Sequence, residues 1–364
     1  MWDSIQKLEY RAKANLADAQ EELQSRLSDR MELPLIGLHG EKLYLTSIEK
    51  LREKASQLDI LYQNVPEHRG VKETILLDAW SSATIEGART TVAQVRNSFT
   101  SPKTKDDIMV VNTITGCHYA YGRPITQKNI RRLWEKVVSG VCENREHQGK
   151  LYRDGMVYVG SLDRVIHTPA TPQQLPDLME KWFAFCESST TDLLIHSFVA
   201  HFYFVYLHPF CDGNGRVARI LNSSLLYHNG YRKMKNLPLS NAINKQISGY
   251  YGSLSESEMV LFSQGELWLD ISPFVSYMLN SFERCLIDAA LSKNNLNVTE
   301  TKLLERMNKV GVNAEITVTK ASKIIDRSDS VTRKVLNGLV QKGYLIADTS
   351  HTPHIYRLQQ HIPT

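Results

Sequence analysis

The amino-acid sequence predicts a mainly α-helical protein with one short β segment, followed by a small separate domain. Apolar residues recur at helical spacing through most of residues 1–291, in stretches rich in good helix formers. Short β-type runs in that region are confined to residues 149–168. A polar, apolar-poor stretch at 292–297 is typical of a linker and sets off the tail, residues 298–364.

The N-terminal region, residues 1–110, is predicted to be helical. Three segments carry the helical pattern: 1–30, 47–61 and 72–85. A loop is expected from about Pro34 to Gly40, between the first two segments. Gly87 ends the third segment, because glycine readily adopts the backbone conformation that stops a helix.

The central region, residues 111–291, alternates helical patterns with the one β segment. Helices are expected at 126–138, 175–187, 192–207, 217–228 and 272–291. Between the first two, β-type runs occur at 151–152, 157–159 and 165–166. Asp154-Gly155 lies between the first two runs and is typical of a hairpin turn. We therefore expect a β-hairpin near residues 149–168.

The tail is interpreted as a winged helix-turn-helix domain. It shows three helical patterns followed by two β-type runs: 300–310, 319–325, 330–342, 344–346 and 354–358. Three helices and a hairpin within about 60 residues have the element order of that fold.

Composition indicates a globular protein. Hydrophobic residues make up 42% and charged residues 23%, near the average of soluble globular chains. The longest apolar stretch, 198–207, is far shorter than the roughly 20 residues of a spanning helix, so no membrane helix is expected. The first residues lack the apolar core of a signal peptide. Five scattered cysteines without a CxxC favour a reducing cytoplasm over a disulfide framework.

The net charge of +4 lies in the tail. Residues 298–364 hold ten Lys and Arg against six Asp and Glu, whereas residues 1–297 balance 33 against 33. The expected helix 330–342 carries Arg333, Lys334 and Lys342, which suit contacts to phosphates. The tail therefore favours an anionic partner. DNA is one interpretation and a protein surface the other, because winged-helix domains also serve as protein-interaction domains.

The stretch from His208 to Arg219, HPFCDGNGRVAR, holds residues that suit phosphate chemistry. Gly213 and Gly215 permit tight backbone curvature just before a helix N-terminus, where unpaired N–H groups favour an anion. Arg216 lies three residues before Arg219, so both project from one side of the first turn, and guanidinium groups suit phosphate oxygens. Asp212 offers an oxygen ligand for magnesium, and His208 a general base.

This stretch resembles the HPFxDGNGRxxR signature of the Fic family at every defined position. That family transfers nucleotidyl groups, most often AMP from ATP, to hydroxyl side chains of proteins. The family also has an inhibitory motif: Ser or Thr, then any three residues, then Glu, then Gly or Asn. The stretch Ser82-Ala-Thr-Ile-Glu86-Gly87 is similar to it. The resemblance covers roughly residues 30–290. It implies a Fic-fold helical bundle, an inhibitory helix at about 72–87 and a hairpin flap near 149–168 that positions the target.

The resemblance also implies a role for each residue of the motifs. His208 resembles the base that deprotonates the target hydroxyl, and Asp212 resembles the ligand of magnesium. Arg216 resembles the contact to the β-phosphate. Arg219 resembles the contact to the γ-phosphate and the partner of Glu86. The remaining ATP contacts are Gly213, Asn214, Gly215, Val217, Ala218 and a tyrosine pair beside the adenine, Tyr250 and Tyr251.

The resemblance thus implies a cytoplasmic protein adenylyltransferase that uses ATP and magnesium and is autoinhibited by Glu86. It implies modification of Tyr, Thr or Ser in target proteins and in the enzyme itself, and family members with this layout often form homodimers. Two alternatives stay open. One is a DNA-binding transcriptional regulator that acts through residues 298–364. The other is a Fic enzyme that removes AMP or uses another nucleotide.

Overall fold

The structure is a computed structural model of the 364-residue chain. It describes residues 5–13, 17–65, 71–142, 150–161, 164–188, 190, 192–263, 265–292, 298–311, 314–341, 344–350 and 353–358. The chain divides into two compact units, one of Met1–Gln63 with Glu67–Leu286 and one of Asn64–Pro66 with Ile287–Thr364. Most described residues are helical, as the sequence predicts.

The elements of the first unit begin with two helices and two strands: α1 (Ile5–Lys13), α2 (Ala17–Ser28), β1 (Arg30–Ile36) and β2 (Lys42–Thr46). Helices follow: α3 (Ile48–Gln63), α4 (Val71–Ile85), α5 (Val92–Ser98), α6 (Lys105–Tyr121) and α7 (Gln127–Val138). Next come β3 (Val159–Ser161), β4 (Arg164–His167), α8 (Leu175–Glu187), α9 (Leu193–Leu207) and α10 (Asn214–His228). The last are α11 (Leu239–Asn244), α12 (Ile247–Ser257), β5 (Val260–Ser263), β6 (Glu266–Asp270) and α13 (Ser272–Ser292).

A four-stranded sheet in the order β1-β2-β6-β5 was not predicted from the sequence. β1 and β2 are antiparallel, β2 pairs in parallel with β6, and β5 and β6 form an antiparallel pair. The prediction of a loop from Pro34 was wrong, since β1 extends to Ile36. Pro34 is tolerated there because β1 is an edge strand, with a register shift between Glu32 and Ile36. The helix expected over residues 1–30 is two helices, and Arg30 already belongs to the strand.

The hairpin is shorter than expected and its turn lies elsewhere. β3 pairs with β4, so the prediction of a turn at Asp154-Gly155 between two strands was wrong. Residues 151–158 form no strand. The physical reason is Arg153, whose side chain is drawn inward by backbone carbonyls and is 2% exposed in total. A strand at this position would have to turn that side chain outward or leave those carbonyls without a donor.

The core of the first unit surrounds α9. Nearly all of its side chains are buried, as its continuous apolar sequence predicts. α8 and α10 pack against α9, and α10 also packs against α6 and α7. The buried α9 ends at the motif, and α10 begins within it, so the hydrophobic core of the unit positions the site. α10 starts at Asn214, three residues before the expected Val217.

The second unit contains α14 (Val298–Val310), β7 (Glu315–Thr317), α15 (Val318–Ile325), α16 (Asp329–Gln341), β8 (Leu345–Asp348) and β9 (Ile355–Leu358). Its strands form an antiparallel sheet in the order β7-β9-β8, and β7 was not expected. Its own hydrophobic core includes Leu303, Leu336 and Tyr356. The winged-helix interpretation stays a prediction. Residues 293–297 of the expected linker and Lys342 lie outside the described residues.

None of the helices that the structure describes is long and apolar enough to cross a bilayer.

Candidate nucleotide-binding site

The loop between α9 and α10 is closed by its own side chains. α9 ends at His208, whose backbone is left-handed with φ 52° and whose N–H donates to the Phe204 carbonyl. The Asn214 amide bridges the loop, since Oδ1 accepts from the Phe210 N–H at 2.9 Å and Nδ2 donates to its carbonyl at 2.8 Å. The Phe210 ring stacks on Trp134 with centroids 5.0 Å apart. The side chain of Asn214 therefore holds the loop closed, while its backbone forms the start of α10.

The N-terminus of α10 is shaped to receive an anion. Gly213 precedes the helix with φ 75°, and a Cβ there would lie 2.9 Å from Cγ1 of Val138. The first bond of the helix runs from the Val217 N–H to the Gly213 carbonyl at 2.9 Å. The N–H groups of residues 214–216 precede that bond and, with the helix dipole, favour a bound anion. The side chains of Val217 and Ala218 are buried, and their predicted contact with ATP stays a prediction.

Arg216 lies beneath this helix terminus and is 1% exposed. Its Nη1 donates to the Val137 carbonyl at 3.2 Å and its Nη2 to Asp212 Oδ1 at 3.4 Å. Its Nε is buried and has no hydrogen-bond partner among the described residues. Asp212 keeps 48% of its side chain exposed. Trp134 fixes its backbone by donating from Nε1 to the Asp212 carbonyl at 2.8 Å.

Arg219, one turn further along α10, connects that helix with α4. Its Nε donates to the Ser82 hydroxyl at 2.8 Å and its Nη2 to the Ser82 carbonyl at 2.9 Å. The same Nη2 donates to Oε1 of Glu86 at 2.7 Å. Its Nη1 is buried without an acceptor in the described part of the chain. Because a buried guanidinium donor without a partner is unfavourable, the site favours an anion at Arg219.

The end of α4 presents Glu86 to this arginine. The N–H of Ala88 bonds to the Ala83 carbonyl and the N–H of Gly87 to the Thr84 carbonyl. Gly87 has φ 90°. This pattern is a Schellman motif, which ends α4 at Ile85 and places Glu86 at the C-cap position directly after it. A carboxylate is disfavoured by the dipole at a helix C-terminus, so the Arg219 contact compensates an otherwise unfavourable position.

Glu86 and Arg219 form an ion pair. Burial alone would raise the pKa of Glu86, but the charge and hydrogen bond of Arg219, with Arg216 and His208 nearby, bring it below its usual value. Burial would lower the pKa of Arg219, and Glu86 raises it above the usual value. Gly215 leaves room for this pair. A Cβ at that position would lie 2.2 Å from Glu86 Oε1.

The imidazole of His208 is held in one tautomer by a backbone contact. Nδ1 lies 3.2 Å from the Val205 carbonyl, so Nδ1 carries the proton and donates it. Nε2 is then the nitrogen that can accept a proton. Burial lowers the pKa of His208 to about 4, with His167 and Arg153 acting in the same direction and Val205 and Glu86 opposing them. The imidazole is therefore neutral at neutral pH.

Arg153 clamps the backbone of this loop, and sequence reasoning missed it. Its Nε donates to the His208 carbonyl at 2.8 Å, Nη1 to the Gly155 carbonyl at 3.0 Å and Nη2 to the Ala170 carbonyl. Its backbone N–H donates to the Pro209 carbonyl at 3.0 Å. Burial lowers the pKa of this guanidinium. In the sequence it resembles an ordinary loop cation, so no sequence signal could have found it.

His167 anchors the hairpin, and it too was missed. Its Nε2 lies 2.8 Å from the Tyr206 carbonyl, and its Nδ1 lies 2.8 Å from Glu258 Oε2. Since β4 ends at His167, these contacts fix the hairpin to the last turn of α9 and to the end of α12.

The two tyrosines predicted to line the adenine pocket differ in position. Tyr250 is 2% exposed, and its hydroxyl lies 3.0 Å from Nε2 of His201 in the core. Tyr251 is 47% exposed, and its hydroxyl donates to the Ile85 carbonyl at 3.1 Å. Of the pair, Tyr251 therefore lies at the surface beside the end of α4, while Tyr250 supports it from behind with ring centroids 5.5 Å apart.

Cys211 occupies the variable position of the motif. Its Sγ lies 3.8 Å from Sγ of Cys142, which follows the last turn of α7, and neither cysteine is in a disulfide. Burial raises the pKa of Cys211 to about 12. Cys211 is therefore protonated at neutral pH, and we assign it no part in phosphate chemistry.

Magnesium fits the site only together with phosphates. No group of three or more His, Cys, Asp or Glu side chains that could hold a metal occurs in the described residues. Asp212 offers one half-exposed carboxylate at the mouth of the anion site. Magnesium in nucleotide sites is often held by one or two carboxylates with the phosphates and water supplying the rest, so this donor set fits an ion that arrives with the nucleotide.

Fold and site define a helical protein with a helix terminus suited to an anion and a histidine before it. Residues 124–226 match the model of the Fic/DOC family, which confirms the predicted resemblance. The His208–Arg219 stretch lies within the match. Glu86 lies outside it.

Relatives with assigned names point the same way. The chain is 31% identical over 254 residues to the protein adenylyltransferase Fic of Drosophila sechellia and to that of Drosophila melanogaster. The match covers 66% of this chain and 47% of each relative. The chain thus spans about half the length of the curated relatives it matches.

Solved structures confirm the fold. A Fic family protein from Desulfovibrio desulfuricans G20 aligns with a TM-score of 0.57 at 19% identity, over 87% of this chain and 97% of that one. Fic-1 from C. elegans aligns with a TM-score of 0.51 at 17% identity, over 67% of this chain and 73% of that one. At these identities the likeness concerns the fold alone.

Proposed function

We propose that the protein is an adenylyltransferase that moves AMP from ATP to a hydroxyl side chain of a protein. One observation carries the proposal. Within twelve residues the motif combines a helix terminus, two buried arginines with unsatisfied nitrogens and a neutral histidine that can accept a proton. The names of the Drosophila relatives support the same activity.

In the proposed reaction the chain mainly positions groups and stabilises charge. The phosphates of ATP lie at the N-terminus of α10, with Arg216 beside the β-phosphate and Arg219 beside the γ-phosphate. Nε2 of His208 accepts the proton of the target hydroxyl as its oxygen bonds to the α-phosphorus, and pyrophosphate leaves. A positioned base of this kind contributes about 10²–10⁴-fold to the rate. The N–H groups and guanidinium groups stabilise the charge on the phosphoryl oxygens.

Asp212 would hold magnesium in this complex. Bound there, the ion would neutralise charge on the phosphate oxygens. The contact from Arg216 to Asp212 orients the carboxylate toward the helix terminus.

Glu86 holds this enzyme inactive in our proposal. Its carboxylate takes a donor of Arg219 that the γ-phosphate needs, at a distance of 2.7 Å. ATP can enter only if its phosphates shift or Glu86 leaves. A shift of about 1 Å can lower the rate about 10²-fold, because the α-phosphorus loses its alignment with the hydroxyl. A second interpretation, removal of AMP with Glu86 orienting water, would use the same contact.

The β3–β4 hairpin is proposed to receive the target. It is a two-stranded sheet in the described structure, so each strand has an edge that an extended segment could join. Three apolar side chains of this region are largely exposed: Tyr158 63%, Val165 54% and Ile166 62%. Main-chain pairing there would accept varied sequences and present a hydroxyl to His208, including one from another copy of the chain.

The test uses labelled ATP with magnesium and the full chain carrying Glu86→Gly. We expect AMP on the protein itself or on an added target, and a loss of at least 100-fold when His208→Ala is added, because the proton acceptor is gone. His228→Ala is the matched control, since that histidine lies at the far end of α10 and bonds to the Ala120 carbonyl. Transfer that persists in folded His208→Ala protein would refute the mechanism.

A further inference from the structure

Two thiols meet beside the anion site. Cys142 and Cys211 lie 69 positions apart in the sequence, yet their sulfurs are 3.8 Å apart, close to van der Waals contact. Both side chains are partly exposed, whereas the other cysteines, Cys117, Cys186 and Cys285, are buried. A disulfide needs about 2.05 Å between the sulfurs, so closure requires a shortening of about 1.8 Å.

We propose that Cys142 and Cys211 are a redox pair that forms a reversible disulfide and thereby switches off the anion-binding loop. The oxidant is a hydroperoxide. One thiol is oxidised to a sulfenic acid as the peroxide is reduced to water or an alcohol, and the other thiol displaces water from it to form the S–S bond. In total, two thiols and one hydroperoxide give one disulfide, one water, and a second water or an alcohol. A small thiol in excess reduces the disulfide again by thiol–disulfide exchange.

The loop around Cys211 explains why closure would be felt at the site. Phe210 is bonded to Asn214 and stacked on Trp134, and Trp134 also bonds the Asp212 carbonyl. The backbone of Cys211 therefore lies between two residues that are held in place.

The partner side is also constrained. The N–H of Cys142 donates to the Val138 carbonyl at 3.1 Å, and Val138 is the residue that would touch a Cβ on Gly213. Forming the S–S bond would tether the residues that follow α7 to the loop that carries Asp212 and Gly213. The tether would then act directly on the helix terminus that is proposed to bind phosphate.

The covalent step is tested by peptide mapping of the full chain after hydrogen peroxide treatment, without reduction. We expect a peptide that joins residues 142 and 211 in the wild type and in Cys186→Ser, which removes a buried cysteine as a matched control. The joined peptide should be absent from Cys142→Ser and from Cys211→Ser and should vanish with dithiothreitol. Thiols at Cys142 and Cys211 that stay unlinked under peroxide would overturn the proposal.

The switching step rests on the proposed function and has its own readout. In the Glu86→Gly chain, peroxide should lower AMP transfer at least tenfold, with recovery on reduction, while added Cys142→Ser should make transfer insensitive to peroxide. Transfer that is unchanged in the linked protein would overturn the switch. If Glu86→Gly shows no transfer even when reduced, the proposed function fails. The ATP affinity of the reduced and the linked protein, measured by calorimetry, then tests whether the disulfide acts on the anion site. Weaker ATP binding by the linked form supports the switch, and equal binding overturns it.

Discussion

Arg219 joins two elements that are remote in the chain, since Glu86 precedes it by 133 positions. A hydrogen bond between charged groups contributes about 1.5–3 kcal/mol, so this contact is strong enough to hold α4 in place yet weak enough for a phosphate to displace. His208 also depends on local contacts, since burial lowers its pKa and the Val205 carbonyl fixes its tautomer and orientation. The chemistry of the site is therefore decided by individual contacts.

The lowered pKa of His208 predicts an unusual pH profile. An imidazole with the ordinary pKa of about 6.5 would become protonated, and useless as a base, as the pH falls through 6.5. Because burial lowers the pKa of His208 to about 4, its neutral form persists down to about pH 5. We expect kcat/KM of the Glu86→Gly chain to show no histidine-type decline between pH 8 and pH 5.5. A decline centred near pH 6.5, in protein that stays folded, would contradict this assignment.

At the scale of elements, α4 is a rigid arm that is fixed along one face. Asp78, Ser82 and Glu86 are spaced four residues apart and therefore lie on one face. Asp78 accepts the Ser240 N–H at 2.6 Å, and Ser82 and Glu86 accept from Arg219. The loop from α9 to α10 is likewise fixed from outside, by Arg153. These elements bring Glu86 and His208 to the same helix terminus.

Arg153→Gln should lower turnover although residue 153 lies outside the motif. Loss of the guanidinium leaves the carbonyls of His208, Gly155 and Ala170 short of a donor, and each unsatisfied buried group costs about 1–3 kcal/mol. We expect a kcat at least tenfold lower with a smaller change in KM for ATP, because the phosphate contacts on α10 stay. Lys150→Ala, an exposed residue of the same segment, is the control. If kcat and the folded fraction fall by the same factor, the role of Arg153 is purely structural and this prediction is wrong.

Across the whole molecule, the sequence predicts what is local and misses what is tertiary. Helices with strong periodicity, such as α8, begin and end where expected, and Gly87 ends α4 as expected. The parallel pairing of β2 with β6 joins residues more than 200 positions apart, so no local pattern announces it. The inward path of Arg153 is decided by carbonyls of other segments. The second unit holds its own core and exposes Arg333 and Lys334 on α16, so its contact with DNA or protein stays a prediction.

In the proposed mechanism, Glu86 restrains an otherwise competent adenylyltransferase by holding Arg219. The most direct test is the initial rate of AMP incorporation at equal ATP and magnesium by the wild type, Glu86→Gly and Glu86→Gln. Glu73→Gln is the matched control, because that exposed carboxylate lies on the same helix and pairs with Arg96. We expect a rise of at least tenfold in both Glu86 variants, no rise in Glu73→Gln, and loss of the gain when Arg219→Ala is added. Equal rates in the wild type and both Glu86 variants, all folded and all binding ATP, would contradict it.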